Sequence, residues 1–225
     1  MKWAFLDKYF SSIARRKLKN KDFSIICNNC VAGGIYHKLG MQYTSPTVGL
    51  FFFAKDYIKF LENFETYIKQ PLQFKETSKH PSANELMKIT GRYPVGVMGN
   101  DVEIHFLHYK NDAEARDKWN RRVQRLNYAN LFFIFSDGDG TVAGAGDYDF
   151  KDEYLQRFQS LPFENKLFLS SKPRAGKDVI FLRECENRIC VDDVTRNRKY
   201  EKYIDIIKWL NKEKFLKKSS VQSNV

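Results

Sequence analysis

Asn130-Leu-Phe-Phe-Ile-Phe135, followed at once by Ser136-Asp-Gly-Asp-Gly140, decides the fold. An apolar run with no polar alternation suits a strand covered on both faces, the setting of a mainly parallel sheet. Phe23 to Cys27 reads as a second short apolar strand, and Asn28 or Asn29 then offers an N-cap for a helix ending at Leu39-Gly40. Val48 to Phe53 is a further apolar run behind the turn Thr44-Ser-Pro-Thr47. With the helical stripe of Tyr57, Phe60, Leu61, Phe64 and Ile68 over Lys55 to Ile68, it makes another strand–helix unit. Pro71 to Ser82 reads as a polar connecting arm with strand potential at Leu72 to Phe74. Pro94 and its neighbouring glycines give Tyr93 to Met98 the look of an edge or a turn. Asp152 to Ser160 and Arg198 to Lys212 read as helices, Lys166 to Leu169 and Val179 to Leu182 as strands. The expected fold class is α/β, with a mainly parallel central sheet, helices on both faces, Rossmann-like layering and an irregular C-terminal part. The expected organisation is a basic N-terminal helix over 1–21, one α/β domain over 22–212 and a basic, polar tail over 213–225.

With 225 residues, 43% of them hydrophobic, one packed core needs no disulfide or metal staple. The 38 basic against 27 acidic residues give a net charge of +11, which favours an anionic partner: a phosphorylated small molecule, a glycan precursor, a membrane surface or nucleic acid. No helix-turn-helix, RNA-recognition or zinc-finger pattern is present, which argues against nucleic acid. The longest apolar run, Val48 to Ala54, falls far below the roughly 20 residues that span a bilayer. The N-terminus lacks the uninterrupted apolar centre of a secretory signal, so a cytoplasmic location is expected. Trp3, Leu6, Phe10 and Ile13 share a helical stripe that would suit peripheral contact with anionic lipid, or packing on the body of the domain.

Cys27-x-x-Cys30 and Cys185-x4-Cys190 could be drawn as a four-thiolate zinc site, but the spacing of the second pair fits it poorly, and small buried hydrophobes are the plainer reading. At the mouth of a helix, Cys30 could carry a lowered thiol pKa. Asp137 and Asp139 follow a strand, where open α/β sheets bind ligands. The later glutamate of a calcium loop is absent at Tyr148, however, so a polar turn without a metal is expected. No Walker or spaced-glycine fingerprint names a cofactor.

Asp101-Val-Glu-Ile-His-Phe-Leu-His-Tyr109 is the densest cluster of chemistry. On a period of 2, Asp101, Glu103 and His105 share one face while Val102, Ile104 and Phe106 share the other; His108 leaves the first set unless the strand has ended. The next segment turns helical, with Ala115, Trp119, Val123 and Leu126 on one stripe and Arg116, Arg121, Arg122 and Arg125 around the rest. His105 or His108 suits a general base, because imidazole titrates near neutral pH, and Asp101 or Glu103 would orient it. Arg121, Arg122 and Arg125 would clamp a phosphate or carboxylate. Trp119, Ser45 and the helix-opening Asn28 and Asn29 complete the candidate binding set. Each residue taken singly is equally explained by packing or by a satisfied hydrogen bond.

Five segments together resemble a bacterial family known as domain of unknown function nineteen-nineteen: Ile26-Cys-Asn-Asn-Cys with Gly33-Gly-Ile-Tyr36; Tyr43-Thr-Ser-Pro-Thr-Val-Gly-Leu-Phe; Tyr93-Pro-Val-Gly; Ile104-His-Phe-Leu-His-Tyr109; and Lys118-Trp-Asn-Arg-Arg122 with Arg125. Members are often named exopolysaccharide biosynthesis protein. The resemblance implies a part in bacterial exopolysaccharide or capsular polysaccharide synthesis; the candidate residues suit an enzyme or substrate-binding component, transferase-like, acting on an activated sugar or anionic glycan. The alternative is a non-enzymatic accessory protein that binds a glycan-assembly enzyme or an anionic membrane surface.

Overall fold

The computed structural model describes residues 2–99, 101–137, 150–185 and 198–217, with the side chains of residues 9 onward. Asp139, Cys190, the Trp3 and Leu6 side chains and the last eight residues, all read above, lie outside the described residues. Four parallel strands form the central sheet: β1 (Ser24–Cys27), β5 (Leu131–Ser136), β6 (Lys166–Ser170) and β7 (Val179–Phe181), in the order β1-β5-β6-β7.

Alternate residues of this sheet feed two cores. Ile25, Cys27, Phe132, Ile134, Leu167, Leu169 and Ile180 face the layer made by α2 (Val31–Leu39) and α8 (Ile206–Leu210). Ile26, Phe133, Phe135 and Phe168 face α3 (Ala54–Glu62), α4 (Phe64–Tyr67) and α7 (Asp152–Ser160). Both faces are covered, which is why these strands read as continuous apolar runs. The N-terminal helix α1 (Lys2–Arg16) joins the first layer, with Ala14 against its core and the Arg15 guanidinium donating to the Gly40 carbonyl at 2.7 Å.

A second, antiparallel sheet holds β2 (Gln73–Lys75), β3 (Val95–Met98) and β4 (Val102–His105) in the order β2-β3-β4. Contrary to the expectation from Pro94 and its glycines, β3 is the central strand. Pro94 stands just outside it, with its carbonyl accepting from the Phe106 N–H. Gly96 is required by close packing, because a Cβ there would lie 2.7 Å from the Phe106 ring. Helix α5 (Pro81–Thr90) covers one side of this sheet and α6 (Asp112–Val123) follows it.

The apolar run Val48 to Phe53 is no regular strand. Phe51 exchanges both backbone hydrogen bonds with His105, whereas the Phe52 N–H donates to the carbonyl of Asn28 at the end of β1. With its backbone groups divided between two sheets, the segment couples them and propagates no ladder of its own. The helix expected over Lys55 to Ile68 breaks at Asn63, whose backbone leaves the helical region and separates α3 from α4. The helix expected over Arg198 to Lys212 likewise resolves into a 3-10 turn at Lys199–Lys202 and α8, which the Asp205 carboxylate caps. Lys217 closes the described chain by donating its backbone N–H to the Tyr203 carbonyl.

Candidate functional site

Strand β4 positions the site. Its four residues are all buried, and the period-2 reading of its faces holds: Val102 and Ile104 enter the α3 core, while Glu103 and His105 face the other way. On that other side lies the loop Ser78-Lys-His80, held by Asn84, which accepts from the Ser78 N–H and donates to the Ser78 carbonyl, both at 2.8 Å. Pro81 at the first position of α5 fixes where the helix starts, and so places His80 at its N-cap.

The Glu103 carboxylate accepts from the Ser78 hydroxyl at 2.6 Å and from the Lys79 N–H at 3.0 and 3.1 Å. Asp56, in the first turn of α3 and 1% exposed, receives the Lys79 ammonium on Oδ1 and the His80 Nε2 on Oδ2, each at 2.6 Å. His80 stacks on Phe53, with ring centroids 3.8 Å apart. His105 is fully buried: it stacks on Phe51 at 4.6 Å, and the edges of Phe53 and Tyr93 stand 5.1 and 6.0 Å away. Neither of its ring nitrogens has a hydrogen-bond partner, and Nε2 lies 4.0 Å from Glu103 Oε2. Burial pushes the His105 pKa well below the usual imidazole value, and the nearby His80 and Lys79 lower it further.

Asp56, Lys79, His80, Glu103 and His105 thus form one polar cluster walled by Phe51, Phe53 and Tyr93. Lys59 joins its rim through an ion pair with Asp101, while Lys79 also reaches the Asp101 backbone carbonyl. Lys79 and Lys59 keep 41% and 43% of their side chains exposed. The interior can exchange protons or hold a cation, and the rim offers two ammonium groups to an anion.

The structure brings together only part of the expected set. Glu103 and His105 are in the cluster. Asp101 turns to Lys59 and to Tyr67, whose hydroxyl donates to it at 2.9 Å. His108 is exposed in the turn after β4, its backbone N–H donating to the Gly49 carbonyl. Trp119 is buried edge-on to Phe106. Arg121 is exposed beside Asp117, and Arg125 is half-buried past the end of α6. Arg122 is buried, donating to the Val48 carbonyl at 2.9 Å and to the Tyr109 hydroxyl at 2.5 Å, beneath the Tyr43 ring. One terminal nitrogen makes both bonds and anchors Arg122 inside the fold, apart from exposed Arg121, so the three arginines make no common clamp.

At the end of β1, polar side chains serve the backbone. The Asn28 amide forms a reciprocal pair with the backbone of Ser136 at 2.9 and 3.0 Å, extending the β1–β5 ladder by one side chain. Asn29 Oδ1 accepts from the Val31 N–H at the start of α2. Ser45 accepts from the Thr47 N–H, and Thr47 accepts from the Cys27 N–H. Burial raises the thiols of Cys27 and Cys30 to about 12 and about 11, opposite to the lowered value considered for Cys30. Asp137 is taken up by the Ser171 N–H at 2.7 Å and by an ion pair with Arg174.

Sequence reasoning missed Asp56, Lys79 and His80. The available signal was His80-Pro81 with Ser82-Ala-Asn-Glu behind it, the start of a helix with proline in its first turn.

The chain matches the model of a family described as Domain of unknown function (DUF1919) over residues 2–211. It is similar to a Haemophilus influenzae protein named only as an uncharacterized protein, with 32% identity over 209 residues, covering 90% of this chain and 91% of that one. A match of this extent places the chain in the DUF1919 family.

Proposed function

We propose that the protein is an enzyme of bacterial surface-polysaccharide synthesis that transfers a group from an activated, anionic sugar, with its reaction centre at the cluster of Asp56, Lys79, His80, Glu103 and His105. The observation that carries this reading is the 2.6 Å contact between the buried Asp56 carboxylate and His80, whose side chain retains 12% exposure. A buried carboxylate that fixes an accessible imidazole is the arrangement of acid–base catalysis. In glycosyl transfer the acceptor hydroxyl loses a proton while the departing phosphate group carries away negative charge. The imidazoles and carboxylates of the cluster suit the proton; the rim ammonium groups of Lys59 and Lys79 suit the charge. The net charge of +11 agrees with an anionic ligand, and the sugar class comes from the resemblance to proteins named for exopolysaccharide synthesis.

A thermal-shift screen of the full chain against nucleotide sugars, sugar phosphates and nucleotides tests this. A ligand at 100 times its Kd stabilises by about 2.7 kcal/mol. One nucleotide sugar should give such a shift, and Lys79→Met should weaken it. No shift from any of these ligands in a well-folded protein contradicts an enzyme of this class and favours the accessory role at a glycan-assembly enzyme or anionic membrane.

A further inference from the structure

We propose that His80, Glu103 and His105 form a binding site for one divalent transition-metal ion, with zinc as the best-suited occupant. One ligand atom from each of the three lies within 4.8 Å of the others. Three atoms so spaced stand at most about 2.8 Å from their common centre, and small side-chain adjustments bring them to the roughly 2.0–2.1 Å of zinc–nitrogen and zinc–oxygen bonds. Two imidazoles and one glutamate are a donor set suited to zinc in catalytic sites, which keep a further position open for a substrate oxygen.

Two independent observations point to an ion. His105 is fully buried with both ring nitrogens lacking hydrogen-bond partners, a costly state that coordination of one nitrogen would relieve. Asp56, for its part, holds Nε2 of His80 at 2.6 Å; with the ion on Nδ1, this is the carboxylate–histidine contact that orients a metal-bound imidazole. Glu103 is oriented in the same way by the Ser78 hydroxyl and the Lys79 N–H. Among the described residues, the ammonium groups of Lys79 and, farther out on the rim, Lys59 oppose a cation here, Lys79 the more directly. Lys79 is 41% exposed and able to turn outward, so Lys79→Met should tighten binding.

The ion's use in turnover rests on the reading above; its binding does not. The test is therefore made without substrate. Full-length protein freed of metal with a chelator is titrated with zinc and followed by calorimetry, with circular dichroism to establish folding. We expect one zinc per chain, affinity at least 100-fold weaker in Glu103→Gln and His105→Phe, and about 10-fold weaker in Asp56→Asn. Should His105→Phe fail to fold, cobalt(II) bound to the unaltered protein reports the ligands. Visible bands of a low-coordinate nitrogen–oxygen site are expected; a sulfur-to-cobalt charge-transfer band would reassign the ion to cysteine and overturn the proposal. Absence of stoichiometric zinc from the folded protein, or unchanged affinity in Glu103→Gln, also overturns it. In either case sugar binding measured without metal leaves the proposed function standing.

Discussion

Asp56 and His80 meet at 2.6 Å although 24 positions separate them in sequence, because the first turn of α3 meets the N-cap of α5 beside β4. The carboxylate is buried and shared with Lys79, so two side chains depend on one group. Asp56→Asn keeps the shape and removes the charge. It should lower turnover by at least about 100-fold, the usual scale of a positioned acid–base group. Because Lys79 can reach water, the stability loss should stay near 1–3 kcal/mol. Steady-state kinetics alongside urea denaturation separate the two effects, and turnover within twofold of the native protein would refute the role.

Arg122 and Arg121 are neighbours in sequence with opposite fates. Arg122 satisfies the Val48 carbonyl and Tyr109 hydroxyl in the interior, whereas Arg121 lies on the surface beside Asp117. Arg122→Ala should cost about 2–4 kcal/mol through two lost charge-assisted hydrogen bonds and lost packing, the Tyr109 hydroxyl still donating to the Val48 carbonyl. Arg121→Ala should change stability by no more than about 0.5 kcal/mol and leave ligand affinity intact. Chemical denaturation of both variants checks this; equal losses would contradict the placement of Arg122.

Gly96→Ala sets a Cβ against the Phe106 ring in the middle of the antiparallel sheet. Overpacking of this kind costs about 1–3 kcal/mol. Combining it with Phe106→Leu should recover part of the loss, and a thermodynamic cycle in which the two changes simply add would rule out the contact as the cause.

The Cys30 thiol, raised to about 11, should be almost wholly protonated at neutral pH and react slowly with iodoacetamide. Because the thiolate is the nucleophile, the rate should climb about tenfold per pH unit from 7 toward 10, short of the pKa, instead of levelling near 8.5. Mass-spectrometric rates for Cys30 across that range check the sign, and a plateau below pH 8 would show an activated thiol.

The parallel sheet was legible because burial on both faces removes polar alternation from Leu131 to Phe135 and from Ser24 to Cys27. The same rule misleads at Phe51-Phe52-Phe53: Phe52 enters the α3 core while Phe51 and Phe53 pack against α5 and Tyr93, so the run is apolar without belonging to a ladder. Faces within β4 followed from period 2, which placed Glu103 and His105 together. The remainder of the cluster was hidden because Asp56 and His80 reach β4 from distant segments, and no local period records that convergence. Arg122 falls on the buried stripe of α6 by spacing, seven residues after Ala115 and three after Trp119, whereas Arg121 does not; its charge hid this, and the Val48 carbonyl and Tyr109 hydroxyl, brought in from elsewhere, are what hold it in the interior.

Turnover of nucleotide sugars by the full chain, read as nucleotide release and compared among the native protein, His80→Gln and Arg121→Ala, shows whether the Asp56–His80 pair carries the reaction. The account predicts release from one nucleotide sugar, a loss of at least about 100-fold in His80→Gln and no more than a twofold change in Arg121→Ala. Equal release from the native protein and folded His80→Gln would contradict it and move the reaction away from the Asp56–His80 cluster.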